Sequence, residues 1–166
     1  MDAETLKTLQ APLKAKYQEN PEAAVITLKA SGELGSEQLV CSVETGKALV
    51  EAGLHPATGG DGTQVCSGDM LLQALVACAG VTLAAVATAL EIDLKGGRVH
   101  AEGDLDFRGT LGVDKKVPVG FRDIRLSFDL DTDADGEKIA TLMKLTERYC
   151  VVYQTLISPP PVTVSY

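Results

Sequence analysis

Apolar residues recur along the chain with two periods, and the changes of period mark the elements. Leu6, Leu9, Leu13 and Tyr17 fall three or four apart among lysines and acids, which predicts an amphipathic helix over residues 3–18. Asn20-Pro21 ends it, so residues 1–22 read as an N-terminal helical arm. Two extended stretches, about 23–32 and 37–45, follow as a hairpin joined by Gly32-Glu33-Leu34-Gly35. Farther on, Val99, Ala101, Gly103, Leu105 and Phe107 alternate with His100, Glu102, Asp104, Asp106 and Arg108. Ile124, Leu126, Phe128 and Leu130 alternate in the same way with Asp123, Arg125, Ser127 and Asp129. Both are half-buried strands with a turn or loop at 109–119 between them. After a turn at 131–136, Ile139, Leu142, Met143, Thr146 and Cys150 return to helical spacing on one stripe. Pro159-Pro160-Pro161 closes that second helix and leaves 162–166 as a short terminal strand at a sheet edge.

Residues 70–90 carry no charge and are long enough to cross a hydrocarbon core. The run is dominated by Ala, interrupted by Gln73, Gly80, Thr82 and Thr88, and flanked by the acids Asp69 and Glu91 with no basic residue to orient it. It predicts a helix buried on most sides within a water-soluble domain, whose small side chains let neighbours approach closely. Strands before and after two helices, without a βαβ rhythm, give an α+β antiparallel fold with 23–166 as one domain.

Composition narrows the function classes. The chain has 166 residues, 45% apolar and 23% charged, which suits a single globular core. Its 23 acidic against 15 basic residues give a net charge of -8, so the basic footprint for phosphate backbones or anionic membranes is missing. No nucleic acid and no membrane is expected as partner. With no Trp, three Phe and four Tyr, stacking platforms for single strands are poorly supplied too. Residues 51–68 form a long loop containing Gly59-Gly60-Asp61-Gly62, without GxGxxG or P-loop spacing. The start, Met1-Asp2-Ala3-Glu4, lacks the features of a signal peptide, which points to a reducing cytoplasm and free thiols.

The four cysteines, Cys41, Cys66, Cys78 and Cys150, are scattered, with no CxxC, and His55 and His100 each stand alone. Zinc and a His-based triad are therefore not expected, and no cofactor is implied. Cys41 shares a strand face with Leu39 and Val43 and reads as core, His100 falls on a polar strand face, and Cys66 is a loop thiol. Cys78 lies midway along the apolar helix and Cys150 on the buried stripe of the second. Two readings stand: both are small core residues, or they form a redox pair. In the second, a thiolate attacks a peroxide, becomes a sulfenic acid and is captured by the other thiol.

The loop Gly59-Gly60-Asp61-Gly62, the segment Ser67-Gly68-Asp69-Met70-Leu71-Leu72-Gln73-Ala74-Leu75-Val76-Ala77-Cys78 and the segment Glu147-Arg148-Tyr149-Cys150-Val151-Val152-Tyr153-Gln154-Thr155-Leu156 together resemble the OsmC/Ohr family (osmotically inducible protein C and organic hydroperoxide resistance protein). Its pattern is a Gly-rich loop, a helix P-x-E-L-L-x-A-A-L-A-A-C and a second helix C-P-V-S-x-x-L. The likeness spans about residues 23–166 in element order. It implies an OsmC-like fold of antiparallel sheets around two central helices, an intertwined homodimer with active sites at the interface, and a thiol peroxidase for organic hydroperoxides. By this resemblance Cys78 matches the peroxidatic cysteine, Cys150 the resolving one, and a small or lipoyl-type dithiol the reductant. Asp69 matches the acid of the P-x-E-L form, and Gly68 takes the place of the Glu in the P-E-Q-L form. As a residue, Asp69 equally reads as an acid favourable at a helix N-terminus.

Two further positions depart from the pattern. The family's catalytic Arg comes from the N-terminal strands or their loop, whereas the first Arg here is Arg98. A mid-helix thiolate gains little from the helix dipole, so a cation is expected from Lys29, Lys47, Arg148 or an arginine of a partner subunit. Arg148, two residues from Cys150 on a helix, points away from it. Val151 stands where the family has Pro, which removes a kink that would present Cys150. Three functions follow. The first is the peroxidase, with an apolar pocket beside Cys78 suited to alkyl or fatty peroxides. The second is a non-catalytic small-molecule binding or stress protein of the same fold. The third is a hot-dog-type acyl thioesterase using Asp69 as base, which leaves the cysteines without a role.

Overall fold

The structure, a computed structural model, describes residues 3–34, 41–43 and 52–166, with side chains at residues 8, 10–27 and 52–166. The described elements are α1 (Ala3–Glu19), β1 (Val25–Leu34), β2 (Cys41–Val43), β3 (Ala52–Gly53), β4 (Val65–Cys66), α2 (Ser67–Ala89), β5 (Gly96–Asp106), α3 (Phe107–Thr110), β6 (Phe121–Asp131), α4 (Gly136–Tyr149) and α5 (Val151–Ile157). A four-stranded sheet has the order β2-β1-β5-β6, and β3 pairs with β4 in parallel. β1 and β2 are antiparallel, with Gly32 opposite Val43 and Leu34 opposite Cys41. β5 and β6 also run in opposite directions: the Lys95 amide just before β5 bonds the Asp131 carbonyl at the end of β6, whereas Asp104 near the end of β5 meets Arg125. The result is the mixed α/β architecture with an antiparallel sheet that the alternation of apolar and polar positions predicts.

The described residues fall into two compact units. One takes residues up to 30, 52–72 and 101–126. In it Tyr17 of α1 is buried and donates its hydroxyl to the Ala57 carbonyl at 2.8 Å, while Gln10 donates to the Thr58 carbonyl at 3.2 Å. Gly103 on β5 has no room for a side chain, because a Cβ there would run into the Phe121 ring. The buried carboxylate of Asp106 receives the Arg108 guanidinium and the Arg108 amide, and Arg108 holds its pKa below the usual range.

The other unit takes 31–34, 41–43, 73–100 and 127–166, and its core is Leu83, Ala87, Ile92 and Leu142, with Val86, Leu94, Phe128, Leu130 and Met143 packed against them. Along α2 the buried positions Leu72, Leu75, Val76, Ala79, Leu83 and Ala87 repeat at helical spacing, so the apolar run serves as a core helix. By length and composition it is also long enough to span a bilayer. Its end is a Schellman turn: the Ile92 amide bonds the Ala87 carbonyl, the Glu91 amide bonds the Thr88 carbonyl, and Glu91 sits at φ 54°.

Three expectations need correction. Residues 162–166 form no strand: Val162, Val164 and Tyr166 are exposed, so no face of the segment is buried to hold it as one. Part of the 109–119 loop is helical at its start, because Asp106 caps α3 by accepting from the Arg108 amide. The helix bearing Cys150 breaks at that residue although no Pro follows it: Cys150 has φ -71° and ψ 106°, ending α4 and opening α5. The surrounding Tyr149, Val151, Val152 and Tyr153 all have middling to low helix propensity, so one residue leaves the helix at little local cost. The turn of the first hairpin, at 35–40, lies outside the described residues.

A non-glycine residue in the left-handed region carries a steric penalty that glycine lacks. Glu91 is exposed, so Glu91→Gly is expected to stabilise the protein by about 1 kcal/mol. Urea unfolding should show a higher midpoint at unchanged slope; an unchanged or lower midpoint contradicts the strain.

Candidate active site

Cys78 sits in the fourth turn of α2, on the side opposite the buried stripe, and is partly exposed. Cys150 is 1% exposed. The structure brings these two together: each thiol is near enough to shift the other's affinity for its proton. The break at Cys150 completes the arrangement. Because α5 starts afresh at Val151, its first amides have no helical acceptor, and those of Val151 and Val152 favour the ionised form of Cys78. The Thr82 hydroxyl, one turn farther along α2, acts on the Cys78 thiol in the same direction. Every one of these partners is neutral.

The two thiols are driven in opposite directions. Burial pushes the Cys78 thiol up, but hydrogen bonds from the Val152 amide, Cys150, Thr82 and the Val151 amide outweigh it, and the net direction is down. Burial is also the leading influence on Cys150, and the Cys78 sulfur beside it adds to that; amides of Tyr153 and Val152 offset only part, and the thiol is pushed up to about 11. The pair therefore loses its first proton from the accessible sulfur and keeps the second on the buried one.

Asp69, in the first turn of α2, lies nine residues before Cys78 and belongs to the other compact unit. Burial raises its carboxyl pKa, while His55 acts in the opposite sense. His55 is fixed in turn: its Nδ1 accepts from the Ala57 amide at 3.0 Å, and its ring stacks on Phe107 with centroids 5.0 Å apart. His55 and Thr82 were not singled out by sequence as site residues; the spacing of Thr82 four after Cys78 was the available signal. Of the expected cations, Lys29 and Lys47 have side chains outside the described residues. Arg148 lies over the Tyr149 ring at 5.6 Å. The strand face expected to bury Cys41 also lies outside the described side chains, and Cys66 is a partly exposed free thiol at the end of β4.

A family model described as "OsmC-like protein" matches residues 60–165, a span that runs from the Gly-rich loop through both cysteine-bearing helices. The chain belongs to the OsmC-like family. Among solved structures, this OsmC-like chain is similar to the crystal structure of an OsmC-like hydroperoxide resistance protein from Jannaschia sp. CCS1, with a TM-score of 0.60 and 17% identity over 84% of this chain and 91% of that one. At that identity the likeness shows the fold. No curated protein sequence matches the chain.

The opposed thiols give a direct pH test. An alkylating agent reacts with thiolate, so Cys78 labelling should climb as pH passes its lowered pKa, on the acid side of an ordinary thiol. Cys150 labelling should climb only as pH approaches about 11. Residue-resolved mass spectrometry after brief iodoacetamide treatment across pH 6–11 reads both; labelling of Cys150 ahead of Cys78 would contradict the assignment.

Proposed function

We propose that the protein is a thiol peroxidase that reduces organic hydroperoxides, with Cys78 attacking and Cys150 resolving. The observation that carries this reading is the neighbouring thiol pair, one member partly exposed and shifted toward thiolate, the other buried and shifted toward thiol. Family membership and the hydroperoxide resistance named for the similar structure support it.

In the first step the Cys78 thiolate attacks the terminal oxygen of ROOH. An S–O bond forms, the O–O bond breaks, and the alkoxide leaves and takes a proton to become ROH. Sulfur gives up two electrons and the peroxide accepts them. Cys150 then loses its proton and attacks the Cys78 sulfur, forming the disulfide and expelling the oxygen as water. A small or lipoyl-type dithiol returns the disulfide to two thiols and is itself oxidised, in a reducing cytoplasm. The neutral partners of the sulfur and the apolar side chains nearby on α2 and α5, Val81 and Val151, suit an alkyl peroxide. Asp69 enters as the family's helix-start acid; its raised pKa keeps a proton available farther up the pH scale.

The protein acts as a homodimer in this reading. Leu71 and Val81, 37% and 41% exposed, lie on the face of α2 that carries Cys78, and a second copy would cover them. Sedimentation should show a dimer, and Val81→Glu should shift it toward monomer; a wild-type monomer at micromolar concentration sinks this part.

Purified protein should consume cumene hydroperoxide and form a Cys78–Cys150 disulfide seen by mass spectrometry. Cys78→Ser should lower turnover by at least about a thousandfold, the scale for removing a nucleophile. Cys150→Ser should leave a sulfenic acid on Cys78 that dimedone traps. Persistence of both free thiols with no peroxide consumed overturns the peroxidase. The second reading, a binding protein without turnover, draws on the neutral character of the groups that act on Cys78 among the described residues, and that same result favours it.

A further inference from the structure

His55 plays no part in the thiol chemistry, yet its side chain is held firmly. It is the N-cap of a 3-10 turn, Pro56–Thr58: its Nδ1 accepts from the Ala57 amide at 3.0 Å, and its ring lies against Phe107 of α3. The His55 carbonyl accepts from the Thr58 amide and the Thr58 hydroxyl, each at 2.8 Å, and from the Gly60 amide at 3.2 Å. The same turn is the seat of α1. Tyr17, 2% exposed, donates to the Ala57 carbonyl, and Gln10 donates to the Thr58 carbonyl. Ala57 is thus gripped from both ends, its amide by His55 and its carbonyl by Tyr17. We propose that His55 is a proton-operated latch for α1: with the ring neutral the turn is capped and α1 is seated, and a proton on Nδ1 opens the cap and loosens α1 from the turn. The latch is independent of the thiols.

The direction follows from hydrogen-bond chemistry. A backbone amide only donates, so the Nδ1 that receives it carries no hydrogen, and the hydrogen of the neutral ring is on Nε2. A second proton has one place to go, the Nδ1 lone pair that the Ala57 amide occupies. Two donors then face each other and the capping bond is lost. Histidine is the side chain whose ordinary charge change falls between pH 5 and 8, so acidification over that range is the trigger. The charged groups around the turn leave room for the proton. On α1, Gln10, Lys14 and Tyr17 share one face by helical spacing, and Lys14 is the cation among them. On α3 the Arg108 guanidinium is taken up by Asp106, and in the loop the Asp61 carboxylate is turned to Thr63. Asp69, at the start of α2, attracts the protonated ring.

Amide hydrogen exchange of the full chain, read by mass spectrometry at pH 8 and pH 5 and corrected for the intrinsic pH dependence of exchange, tests the latch. Peptides covering 3–19 and 55–60 should lose protection together at pH 5, by about fivefold, the scale of removing one capping side chain. Peptides from β5 and β6, where the other histidine, His100, pairs with Asp129, should keep theirs. His55→Asn retains a capping oxygen that does not titrate, and both segments should stay protected at both pH values. His55→Ala has no cap and should be loosened in both segments already at pH 8. Wild-type protection that is equal at the two pH values overturns the proposal, and so does a response confined to 55–60 that leaves α1 unmoved. A His55→Asn variant that responds to pH as the wild type does assigns the effect to another group, such as Asp69, and overturns it too. The wild-type comparison decides the matter even where a variant folds poorly, and it involves no peroxide, so it stands or falls apart from the peroxidase reading.

Discussion

The break in the helix at Cys150 is the constraint on which the site depends. One residue leaves helical geometry, and two consequences follow from that single change. The Cys150 side chain stays buried near Cys78, and the first amides of α5, left without helical acceptors, favour the ionised form of Cys78. A continuous helix would have spent the Val151 and Val152 amides on carbonyls four residues back. The sulfur would then have faced burial with only Thr82 and Cys150 to oppose it, and burial alone drives a thiol upward.

The second constraint is the division of labour on α2. One face is core, with Leu75, Val76, Ala79, Leu83 and Ala87 removed from water. Cys78 sits off that stripe, which keeps it accessible without exposing the backbone that carries it. Rigid placement of the reactive group on a packed helix is what the short reach of a hydrogen bond demands, since a shift of about 1 Å would lose the amides. The Schellman turn at Glu91 and the Ile92 contact with Ala87 close the far end of this helix onto the same core that holds Leu142 of α4, so the helices bearing the two thiols share one packed cluster.

Much of this was legible in the sequence, and the boundary of legibility is physical. Periodicity located α1, β5, β6 and α4 because each buries one face and burial leaves a repeat in the chain, whereas α2 was legible as a long uncharged apolar run. The pairing of Cys78 with Cys150 was legible only as one of two readings, since sequence spacing carries no distance between helices. The helix break was read the wrong way. Val151 in place of Pro argued for an unbroken helix, but a proline is one cause of a break and a local run of weak helix formers is another. The terminal strand failed because alternation in 162–166 records what a segment would bury given a neighbour, and among the described residues it has none. Asp69 could be placed at a helix start, whereas its burial and the influence of His55 depend on a turn far away in sequence.

The shortage of arginine also takes on a different meaning. In a chain of net charge -8 with no Arg before Arg98, a mid-helix thiolate seemed to need a cation from elsewhere. A charge can be stabilised by dipoles instead. Two amides, a hydroxyl and a neighbouring thiol do so here, outweighing burial, and the net direction is toward the thiolate. Fixed dipoles at hydrogen-bond distance act where salt does not intervene, whereas a cation on a flexible surface side chain is screened and must be ordered. Among the described residues the groups that act on Cys78 are neutral, which suits the acidic composition of the chain and ties the thiol's proton affinity to the backbone geometry at Cys150.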